Sequence, residues 1–222
     1  MEPLTEPVGA GLLLVDKPVG MSSARVVSVI KRLSGASKVG HGGTLDPFAS
    51  GLLPVLIGRQ FTREAGTLLE GDKEYEFTLR LGSETDTGDL TGRVAEVHRG
   101  PLPELGDLES ILGGFTGRIT QEPPAFSALK LDGRPLYWYA RRGMDVKKPA
   151  RDVVIHRLEL VEYLPPDARF VVACGKGTYI RSLGCDLGRS LGCPGHLVAL
   201  RRTAVGPYRV EQAHPLWRLA RF

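Results

Sequence analysis

One aspartate in this sequence stands where a catalytic carboxylate would be useful. Asp46 lies in the glycine-rich stretch GHGGTLDPFASGLLP at residues 40–54, which also contains His41 and Thr44 and then becomes apolar. Pro47 restricts its own φ and biases Asp46 towards extended backbone, so the carboxylate is held in place. Asp is also a common turn residue, because its side chain bonds to nearby backbone. The stretch alone therefore fits either a turn or a nucleophile or base beside an apolar wall.

Two residues elsewhere are candidates to work with that carboxylate. Tyr75 lies on the apolar face of an alternating strand at residues 73–81, where it is either a core aromatic or a ring that stacks on a planar ligand. Arg181 lies early in a predicted helix at residues 178–191. A buried carboxylate needs a nearby cation to stay ionised, and Arg181 can supply one. The alternative is an exposed helical arginine.

The start of that helix has a second possible use. Free backbone N–H groups at a helix start favour anions such as phosphate, and Tyr179 and Arg181 share this helix start. Lys176-Gly177-Thr178, at its beginning, resembles a phosphate-binding turn. The Walker spacing of glycines is absent, so P-loop chemistry is not predicted.

Charge is distributed unevenly along the chain. The 222 residues have a net charge of +4. Residues 70–109 contain eleven acidic and four basic side chains, whereas residues 128–157 contain three and eight. A basic second half is expected of a protein that binds a polyanion such as RNA.

Cysteine usage and hydropathy favour a protein of the cytoplasm. The three cysteines, Cys174, Cys185 and Cys193, form no CxxC pair, so we expect free thiols and no metal site. The N-terminus does not resemble a signal peptide, and no apolar run approaches ~18 residues, so no membrane segment is predicted.

Periodicity predicts an α+β fold with a mixed, largely antiparallel sheet, because strands and helices alternate without a strict βαβ rhythm. The predicted strands are residues 12–15, 52–57, 73–81, 93–98, 116–121, 125–131, 153–163 and 168–174. The predicted helices are residues 22–35, 62–69, 105–112, 178–191 and 213–220. Residues 197–205 form a further apolar segment.

Four motifs resemble those of bacterial tRNA pseudouridine synthases of the TruB type, over residues 11–208. They are GLLLVDKPVGMSS, GHGGTLDPFASGLLPVLIG, DKEYEFTLRLGSETDTGDLTG and CGKGTYIRSLGCDLGRSLGCPGHLVALRRTAVGPY. Between them, PPAFSALKLDGRPLYWYARRG resembles the RNA-gripping insertion of that family, at about residues 120–150. The resemblance implies a pseudouridine-synthase fold that isomerises the T-loop uridine at tRNA position 55.

The resemblance also implies roles for individual residues. Asp46 corresponds to the catalytic aspartate, Tyr75 to the active-site tyrosine, and Arg181 to the arginine that pairs with the aspartate. His41 corresponds to the wedge that fills the space of the flipped base, and Leu200 to an apolar residue of the uracil pocket. The remaining positions expected to contact the substrate are Gly43, Thr44 and Tyr179. The positions expected to contact the RNA backbone are Lys17, Arg63, Lys130, Arg141, Arg142, Lys176, Arg201 and Arg202.

The resemblance implies a monomer that acts on the tRNA T-arm without a cofactor, metal or obligatory protein partner. Residues 1–10 are expected to be a tail and residues 209–222 a short extension, too short for the PUA-type domain that bacterial members commonly carry. Arg63 stands where the family usually has a lysine, in a run that is one residue longer. A tRNA-binding or tRNA-folding protein and an aspartate-dependent hydrolase are the alternatives.

Overall fold

The computed structural model of the protein describes residues 9–63, 71–144, 146 and 148–219. The strands within these ranges are β1 (Gly11–Lys17), β2 (Val39–His41), β3 (Ser50–Ile57), β4 (Lys73–Leu81), β5 (Ser83–Thr85), β6 (Val94–Val97), β7 (Gly117–Gln121), β8 (Lys130–Leu131), β9 (Arg134–Pro135), β10 (Arg151–Leu164), β11 (Asp167–Cys174), β12 (Gly195–Val205), β13 (Tyr208–Arg209) and β14 (His214–Pro215). The α-helices are α1 (Ser23–Ser34), α2 (Arg59–Arg63), α3 (Leu105–Ile111), α4 (Leu136–Ala140), α5 (Ile180–Ser190) and α6 (Leu216–Leu219), and the 3-10 helices are Leu112–Phe115 and Val210–Gln212.

The chain forms two compact units, one of residues 1–75 and 200–222 and the other of residues 76–199. In the first unit, β3 pairs antiparallel with β1 and β2 and parallel with β12, while β1 pairs parallel with β14. In the second unit, β10 pairs antiparallel with β7 and β11. Two further pairs in that unit, β5 with β6 and β8 with β9, are also antiparallel. The prediction of an α+β fold with mixed, largely antiparallel pairing is confirmed.

Helix α1 forms where its sequence predicts it. Ser22 caps its start, since the backbone N–H of Arg25 donates to the Ser22 hydroxyl. Val26, Val29 and Ile30 are buried along one face. Gly35 ends the helix with a φ of 64°, a left-handed conformation that glycine adopts without a steric penalty.

Strand β4 has the bounds that its alternating pattern predicts. Tyr75, Phe77, Leu79 and Leu81 are buried, whereas the residues between them are more accessible. Phe77 stacks on Phe170 with ring centroids 5.0 Å apart, which anchors the core of the second unit.

The apolar run at residues 52–57 is buried throughout and forms most of β3. In the first unit, Leu52 and Leu56 pack in one cluster with Val205 and Val210. The loop that contains Asp46 leads directly into β3. The last residues of the loop are therefore joined to the core of the first unit.

Several predicted elements differ from the structure. Of the helix predicted at residues 62–69, residues 62 and 63 belong to α2, and residues 64–69 lie outside the described residues. The extended segment predicted at residues 125–131 is wrong except for β8, and α6 is shorter than predicted. The apolar segment 197–205 is strand β12. No helix of the described residues is long and apolar enough to cross a membrane.

We expect Gly51→Ala to destabilise the protein by about 3 kcal/mol or more. Gly51 has a φ of 104°, and a Cβ there would lie 2.3 Å from the carbonyl oxygen of its strand partner Arg202. Urea unfolding measures the change. Gly106→Ala is the matched control, because a Cβ at this position in α3 meets no atom within 4 Å. Equal stabilities for the two variants would contradict the prediction.

Candidate active site

Lys17 is completely buried at the end of β1, although its side chain carries a charge. Its ammonium donates to the backbone carbonyls of Pro18 at 2.9 Å and Met21 at 2.7 Å. A longer bond of 3.4 Å reaches the carbonyl of Pro47, the residue after Asp46. Lys17 therefore binds the backbone of the aspartate loop, residues 42–49 between β2 and β3.

Arg202 is the second buried cation of the first unit, with 1% of its surface exposed. Its Nε donates to the carbonyl of Leu52 at 2.8 Å, and its Nη2 donates to the carbonyl of Gly43 at 3.1 Å. One guanidinium thus joins the start of the aspartate loop to strand β3.

Ser23 anchors the middle of the same loop. The backbone N–H of Leu45 donates to the Ser23 hydroxyl at 2.9 Å, and that hydroxyl donates to the Leu45 carbonyl at 3.0 Å. Both neighbours of Asp46 are therefore bonded to buried side chains, Leu45 to Ser23 and Pro47 to Lys17. This arrangement fixes the backbone on both sides of the half-buried Asp46, and a nucleophile or base requires such a fixed support.

The electrostatics of Lys17 reflect its position. Burial lowers the pKa of Lys17, the negative charge of Asp46 raises it and the positive charge of Arg202 lowers it, and together they bring the pKa to about 8. The burial effect is the largest. Asp46 is thus close enough to stabilise the ammonium that holds its own loop.

His41 ends β2 and lies opposite Val55 of β3. Its Nδ1 is buried and has no hydrogen-bond partner among the described residues. Burial, followed by the charge of Arg202, lowers the pKa of His41, so the imidazole is neutral at pH 7. A neutral ring can enter an RNA base stack without the cost of desolvating a cation.

The other predicted substrate positions of the first unit differ in exposure. Gly43 and Thr44 are exposed. Tyr75 and Leu200 are each 7% exposed, so both belong largely to the core. The burial of Tyr75 agrees with a core aromatic, and its predicted stacking on the base stays a prediction.

Arg181 is 4% exposed in α5, so the alternative of an exposed helical arginine is wrong. Its Nη1 donates to the Thr87 carbonyl at 2.8 Å and its Nη2 to the Phe126 carbonyl at 2.9 Å. Its Nε lies 3.7 Å from a carboxylate oxygen of Asp89, which is also buried. The predicted pairing of Arg181 with Asp46 stays a prediction.

Sequence reasoning missed Asp89. It lies in the polar loop SETDTGDLTG, where Asp is expected as a turn residue. Its Oδ1 accepts from the backbone N–H of Thr91 at 2.9 Å and from the Thr87 hydroxyl at 3.0 Å. No periodicity marks such a residue, because its role depends on a partner 92 positions away, Arg181 (181 − 89).

Two of the predicted RNA-backbone contacts are buried side chains in this structure. Lys17 and Arg202 donate to backbone carbonyls inside the first unit and present almost no surface to a phosphate. Arg201 forms a two-point ion pair with Asp16, at 3.0 and 2.8 Å, and its side chain is 39% exposed. The predicted contacts that are exposed are Arg63, Lys130, Arg141, Arg142 and Lys176.

No group of three or more His, Cys, Asp or Glu side chains in the described part of the chain is arranged to hold a metal ion. The three cysteines are buried free thiols.

Comparison with known proteins identifies the family. The model of the TruB family pseudouridylate synthase N-terminal domain matches residues 31–180. The chain belongs to the TruB family of pseudouridylate synthases. The model of the tRNA pseudouridylate synthase B C-terminal domain matches residues 181–221. The resemblance noted in the four motifs is confirmed, and the protein is an isomerase.

Curated TruB relatives match most of the chain. The tRNA pseudouridine synthase B of Bordetella avium (strain 197N) is 50% identical over 205 residues, which cover 91% of this chain and 84% of the relative. That of Aromatoleum aromaticum is 50% identical over 204 residues, covering 91% of this chain and 65% of the relative.

Solved structures confirm the pseudouridine-synthase fold. A chain in the crystal structure of a Cbf5-Nop10-Gar1 complex is 33% identical with a TM-score of 0.72, covering 93% of this chain and 52% of that one. A chain in an H/ACA RNP bound to a substrate RNA containing 2'-deoxyuridine is 31% identical with a TM-score of 0.69, covering 93% and 51%. This chain thus spans about half the length of these two.

We predict that Lys17 titrates near pH 8 in the folded protein. Because the unfolded chain keeps a lysine pKa of about 10.4, it binds more protons than the folded chain between these values. The stability contributed by Lys17 should therefore be constant below pH 8 and rise, by up to about 3 kcal/mol, as the pH approaches 10.4.

Urea unfolding of the wild type and Lys17→Met across this pH range tests the sign. Titration of the Lys17 ammonium by NMR is a second measurement that needs no variant. A midpoint near the ordinary value of 10.5 would contradict the prediction.

Proposed function

We propose that this pseudouridylate synthase converts the T-loop uridine at position 55 of tRNA into pseudouridine, with Asp46 as the reacting carboxylate. The observation that carries the proposal is the anchoring of Leu45 and Pro47, on either side of Asp46, by Ser23 and Lys17. The name of the curated relatives, tRNA pseudouridine synthase B, supports tRNA as the substrate.

The target base lies within the folded tRNA elbow, so it must be flipped out at a cost of roughly a few kcal/mol. The neutral His41 ring fills the space that the base leaves. The flipped uracil stacks on Tyr75 and lies against the apolar side chain of Leu200.

The reaction is an isomerisation that requires no second reactant. The bond between N1 of uracil and C1′ of the ribose breaks, the base turns, and C5 bonds to C1′. N1 gains a proton as C5 loses one, so atoms and electrons balance. Attack by Asp46 at the sugar, attack at the base and loss of the C2′ proton to a glycal are the three routes open to a carboxylate here.

Two further residues complete the proposed chemistry. Arg181 keeps Asp46 ionised and in place, because an adjacent cation favours the charged carboxylate. The Tyr75 hydroxyl carries the proton that must move between base and sugar.

The insertion at about residues 120–150 supplies the proposed grip on the T-arm. The Trp138 ring has the guanidinium of Arg134 at 4.0 Å and that of Arg142 at 3.9 Å from its centroid, and Arg141 lies 5.4 Å from the Tyr137 ring. Stacked guanidinium groups are held flat while their N–H groups remain available to phosphates.

The remaining proposals concern organisation and location. The catalytic domain is proposed to be residues 11–208, and the protein to act as a cytoplasmic monomer. No protein partner or cofactor is part of the proposal.

We expect Asp46→Asn to abolish pseudouridine formation while tRNA affinity changes by less than about tenfold, which is about 1.4 kcal/mol. The amide keeps the shape of the side chain but cannot act as a nucleophile or base. Base-resolved detection of pseudouridine and a filter-binding titration give the two readouts.

Glu96→Gln is the control, since it removes one exposed negative charge from β6 and should leave both readouts unchanged. Loss of affinity together with activity would show that Asp46 is structural. Release of free uracil by the wild type would indicate a hydrolase instead.

A further inference from the structure

The insertion begins and ends at two residues that face each other across a strand pair. Gln121 is the last residue of β7 and Arg151 the first residue of β10, and they are register partners. Residues 122–150 lie between them in the sequence.

Gln121 contacts the start of helix α5 through both ends of its amide. Its Nε2 donates to the carbonyl of Tyr179 at 3.3 Å, and its Oε1 accepts from the Tyr179 backbone N–H at 3.1 Å. Gln121 is 1% exposed. Tyr179 is the N-cap residue of α5, and its side chain forms no capping hydrogen bond. Gln121 therefore fixes a helix start that has no side-chain cap of its own.

Arg151 contacts the side chain of the same residue. The central carbon of its guanidinium lies 4.7 Å from the centroid of the Tyr179 ring. Its Nε and Nη2 are buried and have no hydrogen-bond partner among the described residues, so no hydrogen bond at these two nitrogens competes with the contact to the ring.

Two more bonds join the insertion to the first turn of α5. The Ser182 hydroxyl donates to the carbonyl of Glu122 at 2.7 Å, and Nη2 of Arg181 donates to the carbonyl of Phe126 at 2.9 Å. The base of the insertion and the residues at the helix start thus form one bonded set within the second unit.

We propose that Gln121 and Arg151 are positioning residues for pseudouridine formation, which orient Tyr179 and, with it, the turn that carries Arg181. This inference rests on the proposed roles of Tyr179 and Arg181. Gln121 fixes the backbone of Tyr179 and Arg151 fixes its ring. Both residues lie at the base of the proposed RNA-gripping insertion.

The test measures kcat and KM for tRNA in Gln121→Met and Arg151→Met. We expect kcat to fall by at least about tenfold and KM to change by less than about threefold, because small misplacements of a reacting group reduce turnover by up to about 100-fold. A kcat equal to that of the wild type in folded Arg151→Met would overturn the proposal. Arg151 is only partly buried, so this variant stays informative if Gln121→Met does not fold.

Thr120→Val is the matched control on the same strand pair. Its hydroxyl donates to Asp152 at 2.9 Å, and these exposed residues are also register partners, but neither bonds to Tyr179. This variant should keep the kcat of the wild type. A loss equal to that of Arg151→Met would show that any damage to this strand pair has the same effect and would overturn the positioning role.

The double variant of Arg151→Met with Tyr179→Leu, compared with Tyr179→Leu alone, separates this inference from the proposed function. With no ring to orient, Arg151→Met should add less than about twofold to the loss already present. If Tyr179→Leu is impaired and Arg151→Met is not, only the positioning inference fails. If Tyr179→Leu has the activity of the wild type, the proposed role of Tyr179 fails as well.

Discussion

The aspartate loop depends on the burial of two cations beneath it. Lys17 and Arg202 are the largest fully buried polar side chains of the described residues, and their partners include the backbone carbonyls of Gly43 and Pro47. Burying a charge is costly unless it is bonded, so movement of these carbonyls away from the cations removes hydrogen bonds from two buried charges. The loop is thereby held on both sides of Asp46.

This constraint explains why neighbouring elements have the form they do. Because β1 ends at Lys17, the ammonium of this residue reaches the loop. Ser23 at the start of α1 adds two hydrogen bonds to the backbone of Leu45. β12 approaches β3 so closely at Arg202 that only glycine fits at position 51. Burial and, after it, the charge of Arg202 lower the pKa of His41. Packing, electrostatics and the proposed chemistry thus share one set of residues.

Local pattern predicted the parts of the fold that depend on neighbouring residues. The alternation of β4, the capped face of α1 and the turn that contains Asp46 were all readable in this way. The burial of Lys17 and Arg202 was not, because basic residues are usually exposed and their partners are distant in sequence, with Arg202 bonding to Leu52 across 150 positions. The same holds for Asp89 beside Arg181 and for Gln121 beside Tyr179. The resemblance to a family identified Asp46 and Arg181 as candidate residues. Only the structure showed the contacts around them.

The most direct test of the account uses the wild-type protein and a T-arm stem-loop RNA, with base-resolved detection of pseudouridine. A rigidly held carboxylate acting on one flipped base predicts conversion of a single uridine, at the position equivalent to 55, with no release of uracil. A stem-loop that binds without any conversion, or conversion spread over several uridines, would contradict the account.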